Sequence, residues 1–175
     1  MRISVDVGGL TMALFQSFSG VVTGISDFGA GIAASAGCYR LMTVEDGAGG
    51  VVNFVVAPTT YFVDHAMIMP GDTVIGFYDA NAATPLIYPP QFRAIVMARV
   101  DPGRSVKVDY FDAQLLSGDG TLRLNIAPST AIVLENGQFF GGNPANRDLI
   151  VVYGPTTRSI PAQTAPWQIV VLCER

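Results

Sequence analysis

Two stretches of this chain carry the same residues in the same order. Ala57, Pro58, Thr60 and Val63 return as Ala127, Pro128, Thr130 and Val133, an offset of 70. Thr59 matches Ser129, and Phe62 matches Ile132. Ile75 and Tyr78 return as Ile150 and Tyr153, an offset of 75, so the second copy carries five more residues in the loop from Glu135 to Pro144. Pro89 and Gln91 return as Pro161 and Gln163, and Ile95 and Val96 are matched with Ile169 and Val170. The offset changes only across Gly/Asn/Pro-rich segments, where insertions are tolerated. Chance similarity of two strand-rich halves is the alternative. Ordered identities over several blocks favour duplication.

Each copy reads as strands. Tyr39 to Val44 alternates, and Glu45-Asp46-Gly47-Ala48-Gly49-Gly50 supplies the positive φ of a hairpin turn before Val51 to Val56 returns. Thr59 to Val63 continues extended past Pro58, Thr73 to Tyr78 follows the turn Met69-Pro70-Gly71-Asp72, and Arg93 to Val100 closes the copy. Asp101-Pro102-Gly103-Arg104 is the boundary. Beyond it, Ser105 to Phe111 alternates, Ser117-Gly118-Asp119-Gly120 turns, and Thr121 to Ile126, Ala131 to Leu134, Leu149 to Tyr153 and Trp167 to Leu172 follow as strands. No segment has the pattern of a long amphipathic helix, so the expected class is all-β.

Residues 1–19 belong to neither copy and form an expected N-terminal strand arm. Arg2-Ile3-Ser4-Val5-Asp6-Val7 alternates polar and apolar, Gly8-Gly9 breaks the pattern, and Leu10 to Phe18 is apolar. Such an arm cannot bury its own apolar face. It lies on its own chain or on a neighbour, and Ile3, Val5, Val7, Leu10, Met12, Leu14 and Phe15 are the side chains it offers. The expected organisation is therefore an arm at 1–19, a first module at 20–100 and a second at 101–175.

The order of long strand, hairpin, strand, strand and closing strand is that of an OB-type Greek-key barrel. Gly71-Asp72-Thr73-Val74, Phe77-Tyr78-Asp79, Pro89-Pro90-Gln91 and Ala94-Ile95-Val96 resemble the small OB-like modules of bacterial cell-envelope and other surface proteins. The resemblance implies two tandem OB-like barrels. It departs from the family where a helix is usual between the third and fourth strands, because Asp64 to Pro70 is short and the second copy has a Gly/Asn loop there. The barrel bottom is then open or covered by something else.

Half of the 175 residues are hydrophobic and 14% are charged, against about 25% in an average domain. Either the surface is rich in small neutral residues or partners cover much of it. The net charge is −4, Lys107 is the only lysine, and the nine arginines are scattered. Nucleic-acid binding needs a concentrated basic face, so no such partner is expected. No apolar run reaches the ~20 residues of a membrane span, and no secretory signal is visible, since Ser4 and Asp6 interrupt the apolar run after Arg2. The location is left open between the cytosol of synthesis and a cell or spore surface after assembly. Cys38 and Cys173 read as two buried free thiols.

No catalytic constellation is present. His65 is the only histidine and reads as a turn residue, because metal or general-base work needs convergent partners. Asp109, Asp112 and Asp119 have no calcium-loop spacing, and no Gly-x-Ser-x-Gly elbow occurs. Gly47-Ala48-Gly49-Gly50 joins two strands and opens no helix, so it does not form a phosphate loop. Neither enzyme activity, nor cofactor, nor metal is expected. The aromatics Tyr61, Phe77, Tyr88, Phe92, Tyr110 and Phe111 divide between core and a stacking face, with Tyr61, Tyr88 and Phe92 as the candidate ligand face. Two functions follow: a self-assembling subunit of a homo-oligomer or fibre joined by exchange of the N-terminal strand, or a non-catalytic OB-like module binding an oligosaccharide or peptide.

Overall fold

The computed structural model describes residues 13–29 and 36–173. Among them the chain is all-β, and it divides into two compact units, Met1–Arg99 and Val100–Arg175. The first unit holds β1 (Phe15–Phe28), β2 (Tyr39–Glu45), β3 (Val51–Val56), β4 (Tyr61–Phe62), β5 (Thr73–Asp79), β6 (Gln91–Arg93) and β7 (Val96–Arg99). The second holds β8 (Ser105–Phe111), β9 (Leu122–Leu124), β10 (Ala131–Leu134), β11 (Arg147–Tyr153), β12 (Ala162–Thr164) and β13 (Gln168–Leu172).

In the first unit the strands line up as β4-β7-β5-β1-β2-β3-β6. β1 is 14 residues long and serves two partners. Its register shifts between Val22 and Gly24, and this bulge bends the strand. Phe15 to Val21 pairs with β5, while the residues beyond the bulge pair with β2. The closing segment is likewise shared. β6 runs parallel to β3 and β7 antiparallel to β5. Between them the Ala94 N–H donates to the Val55 carbonyl and the Ile95 N–H to the Phe77 carbonyl, so one short segment ties both margins of the row together. Sequence reading takes Arg93 to Val100 as one strand. The change of partner at Ala94 and Ile95 splits it.

The first strand starts at Phe15, earlier than the expected boundary at residue 20. Phe15 pairs with Asp79 of its own unit and is 9% exposed, so it belongs to the first unit's sheet and not to an arm. Leu14 is exposed, and its N–H donates to Asp79 Oδ1 at 3.0 Å. Ile3, Val5, Val7, Leu10 and Met12 lie outside the described residues.

The second unit follows the same path with a shorter beginning. β8, β11, β13 and β10 form one sheet, and β9 pairs parallel with β12. Asn53↔Gln91 and Arg123↔Gln163 are matched parallel pairs. Tyr61↔Val96 and Ala131↔Gln168 are another such set, and Gly76↔Met97 corresponds to Val151↔Ile169. Where the first unit has β2, the second keeps two isolated bridges, Phe111↔Ser117 and Leu116↔Arg123. The repeat extends to single hydrogen bonds. Thr60 Oγ1 accepts from the Ala57 N–H at 3.0 Å and donates to the Ala94 carbonyl at 2.8 Å. Thr130 Oγ1 accepts from the Ala127 N–H at 3.1 Å and donates to the Pro166 carbonyl at 2.7 Å.

This register corrects one match. The Tyr61 N–H donates to the Ile95 carbonyl and the Ala131 N–H to the Trp167 carbonyl, so Ile95 and Val96 correspond to Trp167 and Gln168, not to Ile169 and Val170. A slip of two keeps every side chain on its own face, so an apolar run gives no sign of it.

Each unit has its own core. Val22, Met42, Val44, Phe54, Val74 and Met97 anchor the first, and Phe111, Leu122, Leu124, Leu149, Val151 and Ile169 the second. Residues 149–152 in β11 and 169–172 in β13 are buried at every position, which is why both read as unbroken apolar runs. No helix among the described residues is long and apolar enough to cross a membrane, which leaves membrane-spanning strands unaddressed.

Candidate functional site

Beyond its bulge, β1 leaves β5 and runs on with β2 alone. Gly24 to Phe28 has β2 on one side, and among the described strands none pairs with the other. Beside this edge lies an apolar groove of ≈ 560 Å³. Ile25 of β1, Met42 of β2, Val56 of β3 and Phe62 of β4 form part of its lining, and the loop Ala66–Pro70 supplies the rest. Arg40 of β2 also lines it, the one charged side chain among the described lining residues. Its Nε lies 3.3 Å from Asp27 Oδ1, and both side chains are well exposed. Such a surface pair contributes little stability.

The loop beside the groove is held in an unusual backbone shape. Val63–His65 is a 3-10 turn in which Asp64 and His65 both have positive φ, 62° and 51°. Left-handed non-glycine residues cost of order 1 kcal/mol each and persist where surrounding structure imposes them. Below the turn, Met69 N–H donates to Asp72 Oδ2 at 2.8 Å and Arg99 Nη2 to the Met67 carbonyl at 3.1 Å. These bonds pin a loop whose Met67 and Met69 side chains stand 77% and 54% exposed. Methionine is flexible and polarisable, so it adapts to an apolar partner.

The second unit fills the corresponding place from within. Its longer β10–β11 loop carries Phe140, which packs on the core together with Leu115 and Ile132. Leu115 and Ile132 correspond in register to Met42 and Phe62 of the groove. The Phe140 N–H donates to the Ile132 carbonyl at 3.1 Å, and Arg147 stacks on the ring at 4.9 Å. β8 also stops at Phe111. Asp112 Oδ1 turns the chain at once by accepting from the N–H groups of Gln114 and Leu116. No strand extension is left over.

The candidate ligand-face aromatics do not converge. Phe92 stacks on Tyr78 at 3.9 Å and 5°, and Tyr78 in turn meets Phe54 of the core. Burial raises the Tyr78 pKa. Tyr61 lies edge-on to His65, 6.3 Å between rings. Tyr88 is 78% exposed on the loop between β5 and β6 and joins none of these ring contacts. Phe77 and Phe111 are buried in the core.

The aspartates of the second unit are structural. Asp119 Oδ2 takes Lys107 Nζ at 2.6 Å, and its Oδ1 accepts from Ser117 Oγ, Thr121 Oγ1 and the Thr121 N–H. Partial burial opposes its ionisation, but Lys107 and the two hydroxyls outweigh this and hold the carboxyl far below the usual carboxylate range. Asp109 accepts from the N–H groups of Tyr110 and Asp119, and burial raises its pKa above the ordinary value. Asp112 serves the neighbouring turn, so the three aspartates hold chain reversals. Among the described residues no group of three or more His, Cys, Asp or Glu is placed to hold a metal. Cys38 and Cys173 are unbonded to each other and, contrary to the sequence expectation, exposed: each lies at or beyond a strand end, where no sheet covers it.

Sequence reading misses the groove. It takes Met69 to Asp72 as a turn and passes over Ala66-Met67-Ile68-Met69, an apolar run inside a connection. Loops rarely carry such runs without a surface to cover or a partner to meet. No protein-family model matches the chain, and no curated protein matches its sequence.

Proposed function

We propose that this chain is a structural subunit that assembles with copies of itself, as a homo-oligomer or surface fibre, through its N-terminal segment and without catalysis. In this reading each unit is an OB-like barrel. A long first strand shared between two partners, a hairpin, and a closing segment that joins the third strand to the fourth support that reading in the first unit. The second repeats the closure. The observation that carries the function is the set of large apolar side chains left in water. Met67, Leu86, Ile87, Tyr88, Phe139 and Ile160 are each more than half exposed on loops of a chain with only 14% charged residues. Singly exposed apolar residues are ordinary, but a neutral, apolar loop surface suits a covered subunit better than a free monomer.

Sedimentation velocity of the full chain over a wide concentration range tests this. Large species that disappear when residues 1–12 are deleted, with the circular dichroism of the sheet retained, support it. A full-length monomer at every concentration overturns it. The deletion stops at 12 because Leu14 and Phe15 are part of the first unit's own hydrogen bonding.

The second reading is a binding module for an oligosaccharide or peptide. Tyr88 favours it, since an exposed ring beside Leu86 and Ile87 offers a stacking surface. Tyr88→Ala then abolishes binding in a glycan or peptide panel while leaving the oligomeric state unchanged.

A further inference from the structure

We infer that the groove beside β1 receives residues 3–7 of a second copy of this chain as an added strand. The inference rests on the assembly reading above and names the acceptor that reading lacks. The groove has both parts of a strand-addition site. Gly24 to Phe28 provides a backbone edge that no described strand pairs. Ile25, Met42, Val56, Phe62 and the Met67 and Met69 side chains provide an apolar floor and wall. In strand addition the edge hydrogen bonds give affinity and alternate side chains enter pockets. Ile3, Val5 and Val7 alternate with Ser4 and Asp6 in the required period of two.

The second unit shows what such a place needs when it is filled. There Phe140, carried on a loop five residues longer, covers the position that corresponds to the groove. The first unit has no such insertion.

Direction selects a second copy over the same chain. The Leu14 N–H is tied to Asp79 at the far end of β5, whereas Met67–Pro70 precede the near end at Thr73. Those ends are roughly 20 Å apart at the rise of a strand. Read backwards from Phe15, β1 leads away from the groove. To return, the chain would have to reverse and still span that distance with residues 8–13, whose full extension is only about 20 Å. A neighbouring copy asks for no reversal.

The test uses the full chain, the 1–12 deletion, the double variant Met67→Asp/Met69→Asp, and Ala66→Phe, which supplies an internal plug in the manner of Phe140. The expected result is assembly by the full chain and none by the other three, with a synthetic peptide of residues 1–12 binding the deleted chain at least tenfold more tightly than either groove variant carrying the same deletion. Because Met67 and Met69 are exposed, that variant folds, and circular dichroism checks it. If the deletion dissociates the assembly but both groove variants still assemble and the peptide binds them equally well, the groove is not the acceptor and the assembly reading survives. If the deletion leaves the assembly intact, both fail. If the deleted chain takes up a detergent or fatty-acid probe in the groove but not the peptide, the groove is a small-molecule site and the inference is overturned.

Discussion

In the first unit the ring of Phe54 fills the space over Gly76, and a Cβ on that glycine would lie 2.5 Å from the ring. At the matching positions of the second unit stand Leu124 and Val151, both buried. One large and one absent side chain are exchanged for two of middle size. The same economy of volume fails elsewhere in the units. There Phe140 covers the second core, while the first keeps an open groove beside a strand edge. Two copies of one backbone path can therefore hold the same interior volume and differ in what they leave for a partner. A close-packed interior tolerates compensated exchange, whereas an uncompensated loss leaves a cavity or an acceptor.

The comparison breaks most easily at Phe140. Phe140→Ala removes about 2–4 kcal/mol of stability, less than for a fully buried phenylalanine because the residue is only partly buried. Urea denaturation followed by Trp167 fluorescence measures it, and a loss below about 0.5 kcal/mol denies that the ring covers this core. Next comes Gly76→Val, which overpacks Phe54 at a cost of about 1–3 kcal/mol. Adding Phe54→Leu restores at least half of that loss if the two units are alternative solutions of one packing problem. A double-mutant cycle with no coupling removes the equivalence.

How much of this is legible in the sequence follows from which residues carry it. Ala57-Pro58-x-Thr60 and Ala127-Pro128-x-Thr130 are short polar turns whose threonine makes the same two bonds in each unit, so identity survived there. The hairpin at Asp46 is equally plain, because Gly47 and Gly49 adopt the positive φ that only glycine takes freely. The start of β1 is not legible. Phe15 to Ser19 alternates no better than the residues before it, and only the pairing with β5 places these residues in the first unit. The groove was out of reach because it is made of residues far apart in sequence, and its one local sign was an apolar run in a loop.

Smaller effects sharpen the picture. Asp119→Asn costs about 1–2 kcal/mol at neutral pH, since it removes a charge-assisted bond from Lys107 that is partly screened by solvent. The folded-state pKa of Asp119 is depressed, so its contribution is present above about pH 4 and fades as pH falls below the unfolded value. The gap between wild type and Asp119→Asn in thermal unfolding therefore narrows from pH 5 to pH 2. A constant gap would exclude ionisation as the source. Thr60→Val and Thr130→Val each leave a part-buried N–H and a carbonyl without their hydroxyl partner and cost about 1 kcal/mol. The two losses are expected to agree within a few tenths of a kcal/mol.

One disulfide experiment asks directly whether a neighbour's leading segment completes the first unit. In a Cys38→Ser/Cys173→Ser background, one batch of chain carries Val7→Cys and another carries Met67→Cys. On mixing under mild oxidation at low concentration, a crosslinked heterodimer that neither batch gives alone is the expected result. No crosslink on mixing, or a rapid link within a single diluted chain that carries both cysteines, would contradict it.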